Sequence, residues 1–318
     1  MDTILVPLDG SRLAKRALPV ASELARRLGA GLHLLSAVPT EDDRISRVAQ
    51  LDAVRRRGLT VHRSVVVSRD PAGVIHEKLR RLGRAVACMA SHGRGRSAAL
   101  VGSVATDVVA RGHDPLVLVG PVGRYWLRPP ERRWGYRDWE EPFDGHGVVA
   151  SVDGTSASVG LVPTALRWAN LLKEPFLVLT VAEERPEPVR PGPVRRSFGP
   201  AGDVDAYLEA LVRPIRDDGH KVDTLAWYDP ISPAKGLQAY LWDNPACLVV
   251  VASHARSGPT RVVFGSVAAA VVRYGRSPVL VVPQPTLFAS QGGRDAGSRV
   301  PRPRPQGVGR SSRTGDHR

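Results

Sequence analysis

The sequence ILVPLDGS at residues 4–11 returns as VVASVDGT at residues 148–155. Each copy is a short apolar run that ends in Asp-Gly and a hydroxyl residue. Four further pairs recur in the same order, at offsets of 144, 159, 162 and 163 residues: 32–38 with 176–182, Asp70-Pro71 with Asp229-Pro230, Ser91-His92 with Ser253-His254, and 102–105 with 265–268. Five ordered matches with a steadily growing offset indicate that the chain is an internal repeat.

Each half alternates apolar runs with helical periodicity. In the first half the pattern predicts strands at 3–8, 32–38, 61–67, 85–89 and 115–119, and helices after Ser11 and at 44–57, 71–82 and 102–111. Continuous apolar strands between helices are typical of a parallel sheet that is covered on both faces. The sequence therefore predicts an α/β fold with two doubly wound, Rossmann-like domains, each built on a five-stranded parallel sheet.

The domain boundaries follow from the repeat. We predict a first domain at 1–121, an aromatic-rich linker at 122–146, a second domain at 147–284, and a disordered basic tail at 285–318 that is rich in Gly, Pro, Ser and Arg. Because the linker carries six aromatic residues, we expect it to pack along the domains. A Pro-rich stretch at 185–200 predicts an extended loop.

Composition excludes several classes of protein. No apolar run approaches the ~18 residues of a membrane span. Because the first nine residues carry no basic segment or cleavage site, we expect no signal peptide. The cysteines Cys88 and Cys247 lie inside apolar runs, which predicts buried thiols and a cytoplasmic location. The net charge of +14 divides into +8 for 1–120, 0 for 121–146, +1 for 147–283 and +5 for 284–318. This basic excess suits either solubility or an anionic partner.

In such a sheet, ligands bind outside the carboxyl ends of the strands, where the strand order reverses. Asp9 ends the first strand and can accept hydrogen bonds from a ribose or an adenine amine. Ala37 ends the second strand, where its backbone can meet an adenine edge. The loop 91–97 and the helix that begins near Gly102 combine glycines, arginines and a helix N-terminus, which together favour phosphate.

These features predict at most one nucleotide per chain, bound in the first half, with a weaker candidate site in the second. The candidate nucleotide-binding residues of the first half are Pro7, Leu8, Asp9, Ala37, Met89, Ala90, Gly93, Arg94, Gly102, Ser103 and Val104. A weaker second site would use Asp153, Val181, Ala255, Gly265, Ser266 and Val267. Two structural explanations stay open: Asp9 as part of a helix cap, and a glycine loop that binds no phosphate.

Catalysis and metal binding are not predicted. Ser91 and His92 are adjacent, and neighbouring side chains on an extended chain point apart, so we expect no nucleophile–base pair. His92 and His254 lack partner ligands at metal spacing. We therefore predict no catalytic residue, no metal site and no enzymatic activity.

The segments ILVPLDGS (4–11), CMASHGRG (88–95), GSVA (102–105) and PLVLV (115–119) resemble, in content and order, the universal stress protein family. The resemblance covers 1–121 and 147–283, as in tandem two-domain members. It implies an adenine-nucleotide α-hydrolase-like fold with strand order 3-2-1-4-5 and a stress-response function. It also implies an internal pseudo-dimer through the fifth strands, near Val117 and Val279, and allows a homodimer.

The nucleotide-binding members of this family use ATP and carry the motif G-x2-G-x9-G-[ST]. The first half instead reads Ala90-x2-Gly93-x8-Gly102-Ser103, with a spacer one residue short. The second half has the family spacer but alanine at 252 and 255. We predict ATP or a related adenine nucleotide chiefly in the first half, without fast turnover.

Two other functions stay open. One is a nucleotide-independent protein-interaction module with an unknown partner. The other is a weak, electrostatic binder of nucleic acid or acidic surfaces through the Arg-rich tail. Because that tail carries no aromatic residue after Phe288, we expect no stacking on bases and no specific nucleic-acid binding. No membrane partner is predicted.

Overall fold

The structure, a computed structural model, describes residues 1–92, 101–112, 114–121, 146–182, 204–229, 231–255 and 262–283. The described strands of the first half are β1 (Thr3–Pro7), β2 (Gly31–Val38), β3 (Val61–Val67), β4 (Ala85–Ala90) and β5 (Leu116–Val119). Those of the second half are β6 (Val148–Ser151), β7 (Phe176–Ala182), β8 (Asp223–Tyr228), β9 (Leu248–Ala252), β10 (His254–Ala255), β11 (Val262–Val263) and β12 (Val279–Val282).

The helices alternate with these strands. The first half contains α1 (Ala17–Leu28), α2 (Glu41–Asp52), α3 (Pro71–Leu82) and α4 (Ser103–Arg111). The second half contains α5 (Ser156–Val159), α6 (Val162–Leu172), α7 (Val204–Asp217), α8 (Pro233–Asp243) and α9 (Ser266–Tyr274). The predicted α/β alternation is confirmed in both halves.

Ten of these strands form one continuous sheet, in the order β3-β2-β1-β4-β5-β12-β9-β6-β7-β8. Within each half all neighbours are parallel, and both halves have the order 3-2-1-4-5 that the resemblance implied. The halves join where β5 pairs antiparallel with β12, with Val117 opposite Leu280 and Val279 opposite Leu118. The expected pairing of the fifth strands, with Val117 and Val279 at the seam, is therefore present.

The sheet is covered by helices on both faces. One apolar cluster packs α1, α2, α6 and α7 against one face, and the second cluster packs α3, α4, α8 and α9 against the other. Both clusters contain residues of both halves, so each layer of the core runs across the β5–β12 seam. The two cysteines are buried free thiols, as predicted.

The start of α2 differs from the prediction. The sequence pattern predicted a helix at 44–57, whereas α2 spans Glu41–Asp52. Thr40 is the N-cap, and its hydroxyl accepts a hydrogen bond from the amide of Asp43. Three acidic residues fill the first turn and favour the positive end of the helix dipole. The apolar pattern could not predict where α2 begins, because every residue of its first turn is exposed.

A short hairpin of β10 and β11 was not predicted. Ala255 pairs with Val262, and β11 lies against α4 of the first half. The sequence analysis treated this stretch as a phosphate-binding loop, and so did not predict that two pairs of its residues form short strands.

Several predictions concern other parts of the chain. Gly93, Arg94, most of the linker at 122–146, the loop at 185–200 and the tail at 285–318 lie outside the described residues.

Candidate functional site

The carboxyl ends of three neighbouring strands meet at one edge of the first half. Pro7 of β1 pairs with Leu35 of β2, and Leu5 of β1 pairs with Ala87 of β4. Asp9 lies two residues after Pro7, and Ala37 lies two residues after Leu35. Ser91 lies four residues after Ala87. This register places Asp9, Ala37 and Ser91 at the same level of the sheet edge. Neighbouring strands lie about 4.8 Å apart, so the three positions are close together.

The residues beneath this edge of the sheet are closely packed. Leu8, Met89 and Ala90 are buried, whereas Pro7 and Ala37 are partly accessible. The Leu8 amide donates to the Leu35 carbonyl at 2.8 Å, and the Leu8 carbonyl accepts from the Ser36 hydroxyl at 2.6 Å. These bonds hold the backbone of β1 rigidly up to the residue before Asp9.

The loop after β1 is ordered by its own side chains. The Asp9 carboxylate accepts from the Ser11 amide at 2.8 Å, and the Ser11 hydroxyl accepts from the Ala14 amide at 3.0 Å. Gly10 between them has φ +82°, a conformation that side chains rarely adopt. The Ser11 hydroxyl therefore caps a turn at Ala14 and not α1 itself, which begins at Ala17 after Arg16, and Asp9 takes part in the same turn as Ser11.

The N-terminus of α4 lies at the end of β4. The Gly102 amide donates to the Ser91 carbonyl at 2.7 Å, which ties the N-cap of α4 to the strand beside β1. Ser103 and Val104 follow in the first turn, with Ser103 exposed and Val104 partly buried. First-turn amides have no acceptor within their helix, so this end can bind an anion.

The expectation for Ser91 and His92 is wrong in its geometry. The Ser91 hydroxyl lies 3.0 Å from Nδ1 of His92, within hydrogen-bond distance. β4 ends at Ala90, so these two residues no longer follow the alternation of an extended strand. The side chain of Ser91 is buried, with 1% of its surface exposed.

The corresponding edge of the second half is bonded differently. Oδ1 of Asp153 accepts from the Thr155 amide at 3.0 Å, from the Thr155 hydroxyl at 2.6 Å and from the Ser158 hydroxyl. In the first half, Ala14 stands at the position of Ser158 and offers no hydroxyl. The Asp153 carboxylate is thus held by its own loop.

The other predicted residues of the second half lie where the repeat places them. Val181 is near the end of β7, Gly265 is the N-cap of α9, and Ser266 and Val267 form its first turn. Ala255, by contrast, belongs to the β10–β11 hairpin, where its backbone is paired.

One side chain of α2 and one of α7 reach these strand ends, and the sequence interpretation missed both. The Arg47 guanidinium of α2 lies against Gly10. The Tyr207 phenol of α7 lies near Asp153: its burial, and to a smaller extent that carboxylate, raise the pKa of Tyr207. The signal for Arg47 was its spacing of four residues from the buried Leu51, on the apolar face of a helix.

The family model described as the universal stress protein family matches residues 1–120 and 146–283. The chain belongs to the universal stress protein family. A universal stress protein of Archaeoglobus fulgidus DSM 4304 has a similar structure, with a TM-score of 0.58 and 16% identity over 89% of this chain and 98% of that chain.

A functionally unknown protein of Pseudomonas aeruginosa PAO1 is similar, with a TM-score of 0.57 and 17% identity over 91% of this chain and 95% of that chain. At these identities the likeness shows the fold alone. No curated protein matches the chain.

Within the described ranges, the structure holds no group of three or more His, Cys, Asp or Glu side chains placed to bind a metal. None of the helices described is both long enough and apolar enough to cross a membrane.

Proposed function

We propose that this universal stress protein binds one adenine nucleotide per chain, in the first half, and acts as a stress-response or signalling protein without fast turnover. The observation that carries the proposal is the bond between the Gly102 amide and the Ser91 carbonyl. It fixes a helix N-terminus, which favours phosphate, beside β1 and the loop that carries Asp9. The residues that would bind the nucleotide are Asp9, the Ala37 backbone, Gly93, Arg94, Gly102, Ser103 and Val104, above Pro7, Leu8, Met89 and Ala90.

Charge and loop chemistry support the first half over the second. The first 120 residues carry a net charge of +8, and residues 147–283 carry +1, so an anionic ligand is drawn to the first half. The Ala255 backbone is paired in a hairpin, which makes it a poor phosphate cradle. The weaker second site with Gly265, Ser266 and Val267 is thus proposed to stay empty.

The test uses two matched N-cap glycines. Gly102 and Gly265 both have extended backbone conformations that valine can adopt, with φ −65° and −56°. ATP is titrated calorimetrically into the wild type, Gly102→Val and Gly265→Val. A stoichiometry of one that only Gly102→Val abolishes supports the proposal. A stoichiometry of two, or sensitivity only to Gly265→Val, assigns the site to other residues, and no binding at all supports the protein-interaction alternative.

We propose no catalytic role for the bound nucleotide and no resident metal. Hydrolysis needs a positioned water and generally a metal held by carboxylates, and Asp9 is expected to bind ribose or base. ATP turnover should stay below ordinary enzyme rates of ~1 s⁻¹. A robust rate that Asp9→Ala abolishes would overturn this.

The domain division at 121 and 147, a cytoplasmic location and a homodimer in addition to the internal pairing remain predictions.

A further inference from the structure

Arg47 is a buried cation on the core-facing side of α2. It lies four residues before Leu51, and the two are the buried residues of this helix. Only 6% of the Arg47 surface is exposed. Taking a guanidinium out of water is costly.

The internal repeat shows that the fold does not require a cation at this position. Gly58 lies in the connection after α2, and Gly219 lies in the connection after α7. They are 161 residues apart, and both have positive φ, +72° and +86°. The same offset places Leu51 at Val212 and Arg47 at Leu208. Leu208 is fully buried in the core, with 0% of its surface exposed. The second half thus packs this position with an ordinary apolar side chain.

The Arg47 guanidinium occupies the strand end at which we place the nucleotide. A Cβ added to Gly10 would lie 1.6 Å from Nη1 and 2.5 Å from Cζ of Arg47. The guanidinium is therefore in direct contact with the backbone that follows Asp9. It reaches this edge from α2, which lies on the same face as α1, whereas α4 and its phosphate-favouring N-terminus lie on the other face.

We propose that Arg47 competes with the ligand of the first-half site: its guanidinium fills the space that a ribose or base needs beside Asp9, and a ligand binds by displacing it. This inference rests on the proposed function. The displacement must be offset by other contacts, and the amides at the start of α4 can supply them to phosphate. The ligand class is therefore a nucleotide with a phosphate group, and a nucleoside without phosphate binds much more weakly.

The sign of the effect of Arg47→Leu on affinity tests this role. Leucine is the residue that the second half carries at the corresponding position, which makes it the apolar replacement of choice. If Arg47 competes with the ribose or base, Arg47→Leu tightens binding of ATP and of adenosine by a similar factor of about tenfold or more. If Arg47 instead contacts phosphate, the variant weakens ATP and leaves adenosine unchanged.

The experiment is calorimetric titration of ATP and of adenosine into the full chain. The matched control is Arg44→Leu, on an exposed arginine of the same helix that pairs with Glu41. We expect wild type and Arg44→Leu to bind ATP equally and Arg47→Leu to bind both ligands more tightly. Thermal unfolding checks the fold, and Arg47→Met serves as a second apolar variant should Arg47→Leu unfold.

Three outcomes overturn the inference, and they are distinguishable. Weaker ATP binding by Arg47→Leu would make Arg47 a ligand contact. Unchanged ATP binding by Arg47→Leu would show that Arg47 lies away from the ligand. Under either of these two outcomes the proposed nucleotide function stands. If neither wild type nor Arg47→Leu binds ATP, the nucleotide function fails, and the role of Arg47 fails with it.

Discussion

At the residue scale, His33 is a buried histidine held neutral by its surroundings. Only 7% of its surface is exposed, and its Nε2 lies 2.8 Å from the Ser64 hydroxyl. The Lys78 ammonium donates to the same hydroxyl at 3.2 Å, so Ser64 is left to donate its proton to His33. Burial, followed by the charges of Lys78 and His62, lowers the pKa of His33 to about 4.

The lowered pKa predicts a pH dependence of stability. The unfolded state binds a proton near pH 6.5 and the folded state only near pH 4. The free energy of unfolding is therefore undiminished above pH 6.5 and falls as the pH drops towards 4, by up to about 3 kcal/mol. Urea unfolding at several pH values should show a flatter dependence for His33→Gln. The variant of the exposed His220, His220→Gln, should follow the wild type, and parallel curves for wild type and His33→Gln would contradict the prediction.

A second residue-scale prediction concerns Gly10 and Arg47. Gly10→Ala should destabilise the protein for two reasons: its φ is +82°, and its Cβ would lie 1.6 Å from Nη1 of Arg47. The positive φ costs about 1–2 kcal/mol in any background, whereas the collision disappears in Arg47→Leu. A double-mutant cycle of chemical unfolding should give a coupling of about 1 kcal/mol between the two sites. Additive effects would show that the guanidinium moves away from Gly10 without cost.

At the element scale, the β5–β12 ladder joins the two halves and predicts a sensitive seam. Val117 is fully buried opposite Leu280. Val117→Asp would place an unpaired carboxylate in this core, at a cost of about 3 kcal/mol or more. We expect a lower unfolding midpoint and faster hydrogen exchange of the β12 amides. Val48→Asp, on an exposed valine of α2, is the control, and unchanged exchange in β12 would mean that the seam does not hold the halves together.

Elements with strong apolar periodicity were predictable from the sequence, and exposed or short elements were not. Buried parallel strands such as β2 and β7 are continuous apolar runs, so their repeat at an offset of 144 residues identified both. The start of α2 was missed because Thr40 and three acids, rather than apolar residues, define it. The β10–β11 hairpin was missed because two-residue strands leave no period in the sequence.

The candidate site was predictable where it depends on topology. Parallel strands must end at one edge, so the positions of Asp9, Ala37 and Ser91 followed from the strand order. Side chains that arrive from another element do not follow from that order. Arg47 is the example, because its contact with Gly10 depends on how α2 packs against β2 and β3.

At the scale of the whole molecule, the halves share more than a backbone ladder. The Arg27 guanidinium of α1 pairs with the Glu174 carboxylate of the second half, whose other oxygen accepts from the Gly147 amide at 2.8 Å. The apolar clusters on both faces of the sheet contain residues of both halves. With one sheet and shared cores, the described parts of the two halves are expected to unfold in a single cooperative transition.

Cooperative unfolding predicts that a ligand of the first half protects the second. ATP at 100 times its dissociation constant raises the free energy of unfolding by about 2.7 kcal/mol, because it binds only the folded state. Since the transition is shared, the globally exchanging amides of β9 and β12 should slow by about a hundredfold, as much as those of β1 and β4. Hydrogen exchange read by mass spectrometry measures this, and Gly102→Val is the control that should lose protection in both halves. Protection confined to β1 and β4 would show that the halves unfold independently despite their common sheet.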